Sequence, residues 1–280
     1  MPFLELFDET LDINSTENYE LCLQVSDDNL TFAILDSIRN KFILIRSFTP
    51  DNSRKFIGEQ IKETVSKDDF LTKKYRKVHL LLPTPKFTLV PSALFDPGKK
   101  DEYFIFNHVV TESTTILNNK ITDPDSFLLF AVHKPILELI QSFYPSAIPF
   151  HHLSPLFHHI SHARKTAVEN YIHAHIESDF FNMLVFDNNT LQFSNSFTYR
   201  NISDILYYIL NVLKNLGLKQ EETINLSGQV ERYDDLFSNL SLYIRNVKFS
   251  EPSGNFTFSY VFNDTSLHKY INLFTIAGCE

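Results

Sequence analysis

The chain has 280 residues, of which 43% are hydrophobic and 21% are charged, as in an ordinary globular protein. This composition excludes a largely disordered or fibrous chain, and a chain of this length buries a core without disulfides or a structural metal. The formal net charge of −9 argues against nucleic acid as the main partner, because a phosphate backbone is bound by clustered basic residues. The two cysteines are too few for a disulfide framework or a Cys-rich zinc site.

The sequence gives no sign of a secretory or membrane segment. No basic region precedes an apolar run after Met1, and the longest apolar stretch, 127–140, is interrupted by His133, Lys134 and Glu138. A membrane-spanning helix needs about 20 mostly apolar residues. We therefore expect no membrane span and a cytoplasmic location.

The first half of the chain reads as a meander of strands, then a helix and a buried strand. Leu21, Leu23 and Val25 alternate with Cys22 and Gln24, which is the period of two of a half-buried strand. The predicted strands cover 19–26, 29–36 and 41–48, the helix follows cap candidates at 51–53, and the buried strand covers 78–82.

The same order returns in the second half. Strands are predicted at 171–176, 182–186 and 191–197, followed by a helix capped by Asn201 or Ser203 and ended by Gly217, a strand at 223–226 and a helix over 234–245. Laying Gln24 on His175 also lays Ile34 on Val185, which suggests an internal repeat; the alternative is a coincidence of a common β-β-β-α-β order. We predict two domains, 1–155 with an insertion near 84–125, and 156–280.

Two tandem β-β-β-α-β-α units resemble the actin-like ATPase superfamily. The run 85–95, Pro-Lys-Phe-Thr-Leu-Val-Pro-Ser-Ala-Leu-Phe, is more closely similar to an uncharacterised bacterial family, a domain of unknown function with this fold. The resemblance implies an α/β protein of two tandem actin-like ATPase (ribonuclease H-like) domains, each with a mixed β-sheet flanked by helices.

The superfamily places a phosphate loop, usually Asp-x-Gly, between the first two strands of each copy. Glycine admits the phosphates to the backbone amides, and the aspartate holds a metal ion or its waters. The corresponding positions read Gln-Val-Ser at 24–26 and His-Ile-Glu at 175–177, without the aspartate or the glycine. The neighbouring polar residues are candidates for a vestigial nucleotide cleft: Ser26, Asp27, Asp28, Ser178 and Asp179.

The adenosine-binding turn of the superfamily tends to end a strand with two adjacent glycines. Here the strand at 223–226 is followed by Ser227, Gly228 and Gln229, so Gly228 is the remaining cleft candidate. The chain has six glycines in all and no glycine-rich phosphate loop. ATP with Mg²⁺ is therefore disfavoured as a cofactor, and we expect none.

Seven of the eleven histidines fall between His151 and His175. On a helix, His158 and His162 share a face at a spacing of four residues, which can bind zinc. The other interpretation is that these histidines line and cap the boundary between the two halves.

These patterns favour a non-catalytic binding or scaffold protein with a degenerate actin-like ATPase fold and a protein partner. The sequence leans against an enzyme because the expected phosphate-loop motifs are absent. A divergent ATP-binding protein, either ATPase or kinase, is the first alternative, and a histidine-liganded metalloprotein is the second.

Overall fold

Alternating apolar strands and amphipathic helices form two compact units. The computed structural model describes residues 2–26, 29–49, 57–164, 170–187 and 190–279. The first unit contains residues 1–158, 254–265 and 272–280, and the second contains 159–253 and 266–271. No helix in these described ranges is long and apolar enough to cross a membrane.

The first unit is built on a large mixed sheet. Its strands and helices, in chain order, are β1 (Leu4–Phe7), β2 (Tyr19–Val25), β3 (Leu30–Asp36), β4 (Lys41–Phe48), α1 (Ile57–Lys67), β5 (Lys77–Leu82), β6 (Phe87–Pro91), α2 (Lys100–Ile105), β7 (Thr114–Ile121), β8 (Ser126–His133), α3 (Lys134–Phe143) and β9 (Ile148–His151). The sheet order is β1-β4-β3-β2-β5-β9, with β2, β5 and β9 parallel and the other neighbours antiparallel. The predicted meander, helix and buried strand are all present, although the cap candidates at 51–53 lie outside the described residues.

The segment around the predicted insertion forms a small sheet of its own. Its antiparallel order is β6-β8-β7, and α2 packs on it through Phe104, which is fully buried beside Val90, Ile116 and Leu129. The proline that ends β6, Pro91, lies on an edge strand, where a missing N–H is tolerated.

The second unit contains a five-stranded mixed sheet. Helix α4 (Leu153–Ala163) precedes this sheet. The strands and the helices between them are β10 (Tyr171–Ile176), β11 (Phe180–Asp187), β12 (Thr190–Thr198), α5 (Ile202–Asn215), β13 (Thr223–Gly228), α6 (Asp235–Tyr243) and β14 (Asn246–Phe249). The order is β12-β11-β10-β13-β14, antiparallel on the β12 side and parallel on the β14 side. The chain ends with β15 (Thr257–Phe258), which pairs with β4, and α7 (Ile271–Thr275). The predicted α/β class with mixed sheets is confirmed.

Helix α5 covers one face of the second sheet. Asn201 and Asp204 form a capping box at its start, and Gly217 follows its end with a positive φ of 68°. Its buried residues Ile205 and Ile209 pack in the core of the unit with the apolar residues of β10, β11 and β13. This packing leaves the polar residues of β10 on the opposite face.

The internal repeat is visible in matching irregularities of the two sheets. In the first sheet the β3–β4 register shifts between Ile34 and Leu35, and in the second the β11–β12 register shifts between Val185 and Phe186. A β-bulge is a specific local feature, so its recurrence at the aligned positions supports the alignment of Ile34 with Val185.

Candidate functional site

The candidate site lies in the second unit, at the carboxyl ends of two neighbouring parallel strands. Strands β10 and β13 pair from Ile172–Ile224 to Ile176–Gly228. In open α/β sheets, ligands bind beyond the carboxyl ends of parallel strands. This edge brings together the turn after β10, with Ser178 and Asp179, and Gly228 at the end of β13.

Alternation along β10 places polar side chains on a single face. Ile172, Ala174 and Ile176 belong to the hydrophobic core, so His173 and His175 point to the opposite face. Both histidines are nonetheless buried, as is Ser227 of β13, which pairs in register with His175. Buried polar groups on neighbouring strands must hydrogen-bond to one another, since water does not reach them.

They form a continuous chain of hydrogen bonds, here called the histidine–serine chain (Ser250, His173, Ser227, His175 and Glu177). The Ser227 hydroxyl oxygen lies 2.7 Å from His173 Nε2 and 2.7 Å from His175 Nδ1. His175 Nε2 lies 3.0 Å from Glu177 Oε1, and Ser250 Oγ lies a longer 3.4 Å from His173 Nδ1. Five side chains from β10, β13 and the loops after β10 and β14 are thereby connected.

The acceptor at one end fixes the direction of the whole chain when both rings are neutral. The Glu177 carboxylate only accepts, so His175 Nε2 donates to it and Nδ1 accepts from the Ser227 hydroxyl. Ser227 then accepts from His173 Nε2, and His173 Nδ1 accepts from Ser250. In this arrangement both imidazole rings are neutral, and the Glu177 carboxylate is the acceptor at the end.

Burial opposes a positive charge on His173. Its pKa is lowered well below the usual value of a histidine, first by burial and then by the neighbouring His159 and His175. A neutral His173 fits its position as a donor to Ser227 on one side and an acceptor on the other.

A serine, a histidine and a carboxylate are the parts of a nucleophilic catalytic set, but their surroundings do not suit that chemistry. Ser227 is 0% exposed and His175 is 2% exposed, so a substrate does not reach the hydroxyl. The Ser227 oxygen also accepts a hydrogen bond from His173, which lowers its nucleophilicity. The arrangement therefore stabilises the end of the sheet.

Replacing Ser227 with Ala should lower the free energy of unfolding by roughly 1–3 kcal/mol, because two buried imidazole nitrogens lose their partner. Urea denaturation at pH 7 measures this loss. The control is Ser241→Ala, which removes an exposed hydroxyl bonded to Phe237 O within α6 and should change stability by less than about 0.5 kcal/mol. Equal effects of the two variants on stability would contradict a structural role for the histidine–serine chain.

The turn between β10 and β11 is held by its own main chain. The Glu177 N–H donates to the carbonyl of Phe180 at 2.9 Å, and the Glu177 carbonyl accepts from the Tyr199 hydroxyl at 2.5 Å. The Asp179 carbonyl accepts from the Tyr199 N–H at 3.0 Å. Ser178 and Asp179 thus occupy a tight hairpin turn whose flanking amide is already bonded.

The corresponding turn of the first unit has the same closing bond. The Ser26 N–H donates to the carbonyl of Asn29 at 3.0 Å, and the Ser26 hydroxyl contacts the same residue. Asp27 and Asp28 lie outside the described residues, so their candidacy stays a prediction. Ser26 and the second-unit candidates belong to different units.

Gly228 has a conformation that only glycine adopts easily. Its φ is +84°, and an added Cβ would overlap the carbonyl oxygen of Ile176 and lie 2.9 Å from its carbonyl carbon. The Gln229 N–H donates to that same carbonyl at 2.7 Å. A close approach of two backbones therefore explains the glycine without a nucleotide.

The predicted metal pair lies on α4. His158 is half-buried against Gly278, while His162 is exposed and lies 3.3 Å from the hydroxyl of Ser161. Within the ranges that the structure describes, no group of three or more His, Cys, Asp or Glu side chains is placed to hold a metal ion. A metal role for His158 and His162 stays a prediction.

The first histidine of the cluster has a separate structural role in the first unit. The Nε2 of His151 lies 2.9 Å from the carbonyl of Thr84, and its Nδ1 accepts from the N–H of Leu153 at 3.1 Å. Burial lowers the His151 pKa to about 3, although the bond to Thr84 opposes this. The neutral ring thus joins β9 to the loop after β5.

The two mixed sheets, with their repeated strand order and matching bulges, define the class of the protein: it has the actin-like ATPase fold. A protein from Bacteroides thetaiotaomicron, described as having an actin-like ATPase fold and unknown function, is 23% identical, with a TM-score of 0.78 over 86% of this chain and 94% of that one. A family model described as "Protein of unknown function (DUF3822)" matches residues 8–247, so the chain belongs to this family.

More distant structures share the fold alone. A chain of the PilM-PilN type IV pilus biogenesis complex is 10% identical, with a TM-score of 0.56, covering 93% of this chain and 98% of that one. The ethanolamine utilization protein EutJ from Carboxydothermus hydrogenoformans is 8% identical, with a TM-score of 0.51, covering 98% and 93%. Among curated proteins, none matches the chain.

Proposed function

We propose that this protein is a non-catalytic binding or scaffold protein, in which the actin-like ATPase fold binds another protein and does not hydrolyse ATP. The observation that carries the proposal is the hydrogen bonding of the turn after β10. Glu177, at the position where the superfamily has the glycine of a phosphate loop, is buried and bound to His175 at 3.0 Å.

A phosphate at this turn would meet the Glu177 carboxylate and a Glu177 N–H that is already bonded. Binding of phosphate depends on N–H groups directed at the anion, whereas the Glu177 N–H is directed at the carbonyl of Phe180. Two like charges at contact distance repel each other strongly in a partly buried site. Phosphoryl transfer also needs metal ions to neutralise the developing charge. His175 occupies the position at which the superfamily has the aspartate that holds the metal ion.

The turn of the first unit supports the same proposal. The Ser26 N–H is bonded to the carbonyl of Asn29, so this amide is also engaged within its hairpin. In this turn, the position at which the superfamily has the metal-holding aspartate is occupied by Gln24, whose side chain carries no charge. Both copies of the expected phosphate loop thus depart from the nucleotide-binding pattern in the same way.

A protein partner fits a fold that occurs in protein assemblies. A chain of the PilM-PilN type IV pilus biogenesis complex has this fold. The first alternative, a divergent ATPase or kinase, would require phosphate contacts outside the two turns.

Purified protein with Mg²⁺-ATP should release no more phosphate than a protein-free blank, and calorimetry should detect no Mg²⁺-ATP binding. The matched variant is Asp179→Asn, which keeps the size of the side chain and removes its charge. Turnover of about 1 per second that disappears in this variant would overturn the proposal and make the turn after β10 an active site. Binding without turnover would favour the ATP-binding alternative.

Protein binding needs its own measurement. A partner captured with the tagged full chain should bind the purified chain in a titration, with an affinity that is unchanged by Mg²⁺-ATP. An affinity that rises or falls at least about tenfold with Mg²⁺-ATP would contradict a nucleotide-independent scaffold.

A further inference from the structure

The outer edge of β12 is a strand edge with unusual properties. Strand β12 is the terminal strand of the second sheet, and no strand in the described ranges pairs with its outer side. It is nine residues long, Thr190–Thr198, and contains no charged residue, proline or glycine. Natural proteins usually protect such edges with charges, prolines or short strands, because unpaired backbone groups attract further strands.

The hydrogen bonding of β11 shows which backbone groups of β12 point outwards. Phe180 pairs with Thr198, and the next residue, Tyr199, donates its N–H to Asp179 O at 3.0 Å. The Phe180–Thr198 pair is therefore of the non-hydrogen-bonded type, and the backbone groups of Thr198 point away from β11. The same parity directs the backbone groups of Ser196 and Ser194 outwards.

One local contact agrees with this assignment. The Ser196 N–H donates to the side-chain oxygen of its neighbour Asn195 at 2.9 Å, which is the arrangement of an outward N–H without a strand partner. Asn195 is itself exposed, so its side chain can turn away when a strand arrives.

The repeat in the first unit shows what occupies the corresponding edge there. Ile34 pairs with Leu44 and Val185 pairs with Phe193, so the segment 44–47 of β4 corresponds to 193–196 of β12. Strand β1 pairs antiparallel with 44–47, from Phe7–Leu44 to Leu4–Ser47. The second unit has the same edge without a described counterpart of β1.

We infer that the outer edge of β12 pairs with β12 of a second copy of this chain, antiparallel and around a two-fold axis at Asn195. Two identical edges related by a two-fold axis run antiparallel, which is the orientation of β1 on β4. Asn195 would lie opposite its own copy, with Ser194 opposite Ser196 of the second copy. The outward groups of both strands then form the new ladder.

Charge favours a second copy over an unrelated strand. On β4 the outer strand is recognised by an ion pair, Arg46 to Glu5 at 2.5 Å, and the position of Arg46 corresponds to Asn195. An uncharged strand faces its own copy without like-charge repulsion, in a chain whose net charge of −9 opposes self-association elsewhere. Closure by the two-fold axis also limits the assembly to a dimer.

Charge substitution at the axis tests the inference. Light scattering after size-exclusion chromatography of the full chain should give twice the mass of one chain, and Asn195→Lys should weaken dimerisation by at least about tenfold, because two like charges then face each other. The matched control is Gln220→Lys, an exposed residue outside β12, which adds the same charge and should leave the dimer intact.

A mixing experiment distinguishes a contact at the axis from loss of folding. Asn195→Lys and Asn195→Glu should each be monomeric with an unchanged circular dichroism spectrum, and an equimolar mixture should restore the dimer. A wild-type chain that is monomeric at about 100 μM overturns the inference. This holds even if an extended segment of another protein binds the edge of β12. A dimer of Asn195→Lys as tight as that of Gln220→Lys, or assembly beyond the dimer, overturns it as well.

Discussion

Lowering the pH from 7 to 5 should reduce the free energy of unfolding by about 2 kcal/mol through His151, and further through His173. The pKa of His151 is lowered to about 3 and that of His173 well below its usual value, in both cases chiefly by burial. The unfolded chain takes up protons near pH 6.5, while the folded chain leaves both rings neutral. Stability is therefore full above about pH 6.5 and is lost as the pH falls towards the folded values, by about 2 kcal/mol at pH 5 for His151.

Urea denaturation at pH 7, 6 and 5 measures this loss. His151→Gln should remove about 2 kcal/mol of the difference between pH 7 and pH 5, whatever its effect on stability at pH 7. Ser241→Ala is the control, because it removes no titratable group, and it should leave the difference unchanged. A wild-type stability that is flat between pH 7 and pH 5 would show that the buried rings accept protons freely.

The pH window separates the histidines from the carboxylates. The pKa of Glu20, for example, is lowered chiefly by the hydrogen bond with His79. A lowered carboxyl pKa contributes stability that is present above the unfolded value, about 4, and lost below it. Measurements kept at or above pH 5 therefore exclude most of the contribution of the carboxylates.

Local patterns in the sequence were sufficient to predict most of the fold. The alternation at Leu21, Leu23 and Val25 predicts β2. The cap candidates Asn201 and Ser203 with Gly217 predict the two ends of α5, and the N-cap is Asn201. These features depend on residues close in sequence, where periodicity and capping act. The pairing of β15 with β4 was not predicted, because it joins segments more than 200 residues apart through only two residue pairs.

The histidine–serine chain was missed for a similar reason. Ser227 meets His173 and His175 only when β13 pairs in parallel with β10, and no local signal gives that register. A signal was nevertheless present in β10, since His173, His175 and Glu177 alternate and must share one side of a strand. The dense histidine run suggested a metal, but its members are distributed over separate sites of the two units.

Replacing Gly228 with Ala should lower the free energy of unfolding by more than about 4 kcal/mol, because backbone conformation and a backbone clash act together. A φ of +84° is unfavourable for alanine, because residues with a side chain prefer a negative φ. Its Cβ would also overlap the Ile176 carbonyl oxygen, which is the acceptor of the Gln229 N–H. Relief of the clash requires β13 to move from β10, which pulls Ser227 away from both histidines.

Gly217→Ala separates the two contributions. Gly217 also has a positive φ, +68°, but an added Cβ would meet no atom within 4 Å. It should therefore show only the conformational cost, about 1–2 kcal/mol, in the same urea titration. A loss in Gly228→Ala that matches Gly217→Ala would mean that β10 and β13 separate without cost at this end, and that the Ser227 hydrogen bonds add no stability. A much larger loss, accompanied by a changed histidine ring environment in the NMR spectrum, would place the requirement for glycine in the contact between the two strands.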